Sequence, residues 1–314
     1  MRFRKEKGET SFGVIVAILI LIIVILSLIL ATKKSDKPQY ESIEEKDIPI
    51  PEGYYYVGGT KDTGLIISDN IEDENAEKYT AQDKLKGNQW VWVPVEDINK
   101  IIKDKKDKKD YHEPYLVTGS RGNSFDYTDY AIAGFTSHQN MEEEIANEYK
   151  LMLESIEKYK GFYIGRYELS KNGVKKGKTQ SKKVWYELYK NCKEIDKDNE
   201  AVISTMIWGV QWDATCTWLS NSNYNTEDST AWGNYTNNTA QGAGEQRETG
   251  YSENWKANNI YDFAGNYWEW TQEAYKEVYR VTRGGHWEFN GSRASVSSYD
   301  SYLPTNETNL VSRN

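Results

Sequence analysis

Few side chains in this 314-residue chain are of types and spacings that do chemistry. Three histidines, His112, His138 and His286, stand far apart. Two cysteines, Cys192 and Cys216, match no metal-binding spacing and are expected to be free, buried thiols. No G-x-S-x-G, H-E-x-x-H or phosphate-binding loop occurs. The polar groups that do cluster lie between Asn259 and Trp287. There Asp262 and Glu269 sit inside the run Tyr261-Asp262-Phe263-Ala264-Gly265-Asn266-Tyr267-Trp268-Glu269-Trp270. So many large aromatics do not suit a solvated loop, yet the glycine, the asparagine and two carboxylates do not suit plain core. The run predicts a buried, shaped loop.

The elements that must position this loop can be read around it. Tyr279-Arg280-Val281-Thr282-Arg283 alternates like a strand and meets Gly284-Gly285, a pair suited to a bulge or close backbone approach. Short strands are expected at 53–59, 64–68 and 89–93, the last stopped by Pro94, and at Phe162–Glu168. Ile145, Tyr149, Met152 and Ile156 form one apolar stripe of a helix over 140–160. Further helices are expected near Ser181–Cys192 and over Trp212–Leu219, the latter with Asp213 as a cap. The charge run Lys103–Asp110 reads as an exposed insertion. The polar stretch Asn221–Gly250, with Trp232 and Tyr235 inside it, reads as a long ordered loop.

The segment Gly265-Asn266-Tyr267-Trp268-Glu269-Trp270 followed by Arg283-Gly284-Gly285-His286-Trp287 resembles the formylglycine-generating enzyme (sulfatase-modifying factor) family. Weaker likenesses lie at Gly87–Pro94, Gly161–Glu168 and Trp208–Asp213, so the resemblance spans roughly 49–314. It implies an α+β fold, a variant of the C-type lectin fold with small twisted sheets, a few helices and long loops. The family's enzymes bind copper through two cysteines after the R-G-G strand. The corresponding positions here are about Phe289 and Ala294, and a soft thiolate pair is what copper(I) requires. Oxidase chemistry and copper are therefore not expected, and the chain is expected not to be an enzyme. The resemblance also implies a calcium ion held by Asp262, the carbonyls of Phe263, Gly265 and Tyr267, and Glu269, oxygens of the kind calcium accepts. The competing reading is that Asp262 and Glu269 accept hydrogen bonds from turn amides or pair with Arg283.

Residues 12–31 carry no charge and would span about 30 Å as a helix, a bilayer core. Arg2, Arg4, Lys5 and Lys7 precede them, which places the 1–11 tail in the cytoplasm and everything after about residue 32, a 32–48 stalk and then the domain, outside the cell. Lys7-Gly8 before this segment resembles a type IV prepilin leader, although Glu9 and Gly13 depart from that pattern. The formal net charge of −9, with basic residues dispersed, disfavours nucleic acid as a partner. The expected function is a membrane-anchored ligand-binding or adhesion module for a cell-surface, protein or carbohydrate ligand. Its expected site is Trp287, Glu288, Phe289, Asn290, Tyr299 and Tyr302, a mixture of aromatic and small polar residues that makes adaptable contact surfaces. The alternatives are an enzyme with replaced chemistry built on His286, Glu288 and Asp300, or a minor pilin-like filament component.

Overall fold

In the computed structural model, which describes residues 48–74, 85–106, 129–180, 182–275, 279–306 and 310–314, short aromatic and β-branched strands build two four-stranded sheets. The first joins β1 (Tyr55–Gly58), β2 (Ile66–Ser68), β3 (Gln89–Pro94) and β4 (Gly161–Gly165) in that order, all antiparallel. A small hairpin of β5 (Lys256–Ala257) and β6 (Ile260–Tyr261) leads into the second sheet. That sheet orders β10 (Leu310–Ser312), β7 (Trp268–Tyr275), β8 (Tyr279–Arg283) and β9 (Tyr299–Tyr302); β10 runs parallel to β7 and the rest are antiparallel. The architecture is α+β.

The last residues of the chain stitch the two sheets together. Ser312 pairs with Trp270 on β7, while the N–H groups of Gly165, Leu169 and Ile207 donate to the carbonyls of Asn314, Ser312 and Arg313 at 2.6, 2.8 and 3.0 Å. Among the described residues five α-helices pack around this frame: α1 (Ile98–Lys106), the single turn α2 (Asp129–Ile132), α3 (His138–Tyr159), α4 (Trp185–Lys193) and α5 (Gly209–Asn221). In α3 the expected stripe faces inward, with Ile145, Tyr149 and Ile156 buried and Met152 half-buried. Ser137 caps its first turn by accepting from the Asn140 N–H, and Lys160 ends it in the left-handed region at φ 60°. All 11 tryptophans of the sequence are buried, so the tryptophan excess builds core rather than a contact face.

Several boundaries differ from the sequence expectation, each for a local reason. Trp268–Trp270 is not loop but the start of β7, because β8 and β10 pair with it on both sides. β4 ends at Gly165, beyond which Arg166 turns inward to give its Nη1 to the Gln89 side chain at 2.6 Å. The helix expected from Ser181 begins at Trp185, and the one expected from Trp212 begins at Gly209. At the latter start Gln211, not Asp213, satisfies an end group, accepting from the Trp208 N–H at 3.0 Å. The first half of the Lys103–Asp110 charge run continues α1, and 107–110 lie outside the described residues. So does the 12–31 segment; among the described residues no helix is long and apolar enough to cross a membrane.

Candidate functional site

The turn between β6 and β7 is a knot in the protein interior. Asp262, Gly265 and Asn266 hold φ values of 53°, 73° and 60° within five residues, a left-handed conformation that Asp, Asn and Gly tolerate better than other residues. A side chain at Gly265 would stand 2.2 Å from the Asn234 carbonyl, so this backbone approach admits only glycine. Asn266 then spans the interior, donating to Glu168 Oε2 at 2.7 Å and accepting from Asn234 at 3.0 Å. Asp262, Asn266, Glu269 and Glu168 are all fully buried.

The carboxylates among the expected calcium ligands are engaged with other groups in this arrangement. Both oxygens of Glu269 are taken by Arg313, whose Nε reaches Oε2 at 2.9 Å and whose Nη2 reaches Oε1 at 2.7 Å, with neither side chain exposed. A cation on Glu269 would face a guanidinium across the same carboxylate. Asp262 Oδ2 accepts from the Gly250 N–H at 2.6 Å and the Thr249 hydroxyl at 3.0 Å. Among the described residues no group of three or more His, Cys, Asp or Glu side chains is placed to hold a metal ion. Nor does Arg283 pair with these two carboxylates, as the competing reading supposed. It grips Glu273 with Nη2–Oε2 at 2.7 Å and lies 3.6 Å from Asp213.

The interior remains rich in negative charge. Asp262 Oδ1 and Glu168 Oε1 are buried with no hydrogen-bond donor among the described residues. Burial pushes Asp262 up to about 6, against the Gly250 N–H and Thr249 hydroxyl that favour its ionised form. Burial pushes Glu168 well above the usual carboxylate range, and the charges of Asp262 and Glu269 push it further. Glu269 rises to about 7 through burial, with Arg313 opposing. These groups lie wholly within the core.

The accessible face lies on the other side of the Gly284-Gly285 pair. Gly285, at φ 82°, brings its backbone so close to Ala294 that an added side chain would meet that carbonyl at 2.1 Å, and the Tyr235 hydroxyl ties Gly284 O at 2.7 Å. From there the chain surfaces at Glu288, Phe289 and Asn290, all exposed, with Phe289 at 44%. Thr236 donates to the Phe289 carbonyl through both its N–H and its hydroxyl, each at 3.0 Å. Asn237 accepts from the Gly291 N–H at 2.9 Å, and Ser229 donates its N–H to the Gly291 carbonyl at 3.1 Å and accepts from Val296 at 2.9 Å. The Asn221–Gly250 loop and the C-terminal segment are thus one surface.

The other expected site residues divide. Trp287 is buried, edge-on to Tyr267 at 5.0 Å. Phe289 and Tyr302 flank the same face of β7, against Trp268 at 6.3 Å and Trp270 at 6.2 Å. Tyr299 is 58% exposed but faces the opposite side of the sheet, beside Arg283; three residues apart on a strand, it and Tyr302 point opposite ways. Of the residues named in the catalytic alternative, His286 Nδ1 lies 3.7 Å from Glu288 Oε2. Burial lowers His286 to about 4, its Nδ1 accepts from the Glu288 N–H at 3.3 Å, and Asp300 bonds within its own strand to Tyr302 and Ser301. Cys192 and Cys216 are buried thiols that form no disulfide, and burial raises the Cys192 thiol to about 12. Sequence reading placed Glu168 only at the end of a strand and passed over Arg313, and both lie far from the loop in the chain. No known family's sequence model matches the chain, and no curated protein matches it.

Proposed function

We propose that this chain is a non-catalytic ligand-binding module displayed outside the cell on a membrane-spanning 12–31 helix. Its binding face joins Glu288, Phe289 and Asn290 to Thr236 and Asn237. The observation that carries this reading is the pre-set scaffold under Phe289. An exposed aromatic is held by hydrogen bonds between two irregular segments, so its ordering cost is met before a ligand arrives. The polar neighbours match the composition of adaptable contact surfaces. Two small sheets, few helices and long loops also fit the C-type lectin-like arrangement that the resemblance implies, and with it descent from a sulfatase-modifying-factor domain that has lost its copper cysteines.

The test is binding by the full chain in lipid nanodiscs to arrays of glycans and of cell-surface proteins, compared with Phe289→Ala and Asn290→Ala. Loss of the captured ligand in both variants, with an unchanged circular dichroism spectrum, is the expected result. Binding retained in both would remove the site from this face. Protease added to intact cells should release the domain beyond residue 32, and a protected domain would overturn the external placement.

A further inference from the structure

A second concave surface lies on the first sheet and owes nothing to the face just described. Between α3, strands β3 and β4, and the segment 196–207 runs a groove of about 440 Å³, within the range of small-molecule pockets. Its lining is largely apolar, with Met152 and Ile156 from α3 beside buried side chains of both faces of the sheet, Trp90 and Trp92 on one and Phe162 and Ile164 on the other. Its rim leaves Leu151, Tyr159 and Ile203 exposed, the last at 68%. Exposed apolar residues clustered around a concavity mark a binding site more often than the same residues scattered.

The charges around the groove specify what would enter. Among the described residues that line it are three carboxylates, Glu148, Asp196 and Glu200, and no Lys, Arg or His. Glu148 is already matched by Lys193 at 2.5 Å, with the Tyr189 hydroxyl at 2.7 Å. Among the described residues, Asp196 and Glu200 have no such cation. Asp196 accepts hydrogen bonds from the Ser204 and Tyr54 hydroxyls, and the Tyr54 ring meets Trp90 edge-on at 5.2 Å. A carboxylate beside aromatic rings is an environment that suits an organic ammonium, whereas an anion would meet two unmatched negative charges.

We infer that this groove binds a small amphipathic amine, its apolar body against Leu151, Met152, Tyr159 and Ile203 and its ammonium at Asp196 and Glu200. Calorimetry on the full chain in neutral-lipid nanodiscs, blanked against empty discs, would compare 4-phenylbutylamine, 4-phenyl-1-butanol and 4-phenylbutanoate. The amine is expected to bind about tenfold more tightly than the alcohol, and the carboxylate most weakly. Glu200→Gln, at an exposed position, and Asp196→Asn should each reduce the preference for the amine, and Ser155→Trp, at an exposed position of α3 on the groove, should block all three. Equal binding of amine and alcohol by the unaltered protein, a preference that survives Glu200→Gln and Asp196→Asn alike, or amine binding undiminished by Ser155→Trp would each overturn the proposal. Since none of these residues belongs to the Phe289 face, failure here leaves that reading intact.

Discussion

Arg313 is the residue on which the interior charge depends. With Glu269 fully buried against it, Arg313→Met leaves a carboxylate without its partner and is expected to cost about 3–5 kcal/mol in denaturant unfolding, because an unpaired buried charge is penalised far more than an intact pair contributes. Millimolar calcium is expected to leave the melting temperature unchanged, since ligation requires Glu269 to leave Arg313. A calcium-dependent rise removed by Asp262→Ala with Glu269→Ala would restore the cation. Glu168 titrates in the opposite sense to a salt-bridged acid. Its folded value is raised, so the folded state keeps a proton that the unfolded state gives up above the ordinary carboxylate range. Stability is therefore fully present at acidic pH and falls as pH rises toward the folded value, by up to about 1.4 kcal/mol per pH unit for each such group. Thermal melts should show the protein more stable at pH 5 than at pH 8, and Glu168→Gln should flatten that dependence; an unchanged slope in the variant would assign it elsewhere.

Among the elements, the strand-to-loop exit after β8 is the most constrained. Gly285→Ala must fit a side chain where the Ala294 carbonyl stands 2.1 Å away, at a φ of 82°. A loss of more than about 1 kcal/mol is expected, measured by urea unfolding. The two surface segments make a subtler case. Asn237→Ala removes the acceptor of the Gly291 N–H, so hydrogen exchange at Gly291 should quicken while the β7–β8 amides keep their protection. If both sets of amides quickened together, the two segments would belong to the same folding unit as the sheet rather than resting on it.

At the scale of the whole molecule, the 310–314 segment is a structural keystone, joining β7 to the 165–169 and 207 backbone. Ending the chain before Leu310 should therefore abolish cooperative unfolding, seen by circular dichroism and by rapid proteolysis, whereas an ordinary frayed tail would be dispensable. Much of this architecture was legible in the residues themselves. The period-two run Tyr279–Arg283 and the apolar stripe of Ile145, Tyr149 and Ile156 appear as β8 and the buried side of α3, because periodicity is a local property and local hydrogen bonding obeys it. The Gly284-Gly285 pair announced a close backbone approach, and Gly285 makes it. What lay beyond the sequence were the partners: Glu269 with Arg313, Arg283 with Glu273, and Asn266 with Glu168 are joined only when two sheets and a buried turn converge. The division of Tyr299 from Tyr302 and the union of the 229–237 and 286–298 segments were settled in the same way. A carboxylate's type is written in the chain, but its role is set by which charge folding brings against it, and that contact is non-local.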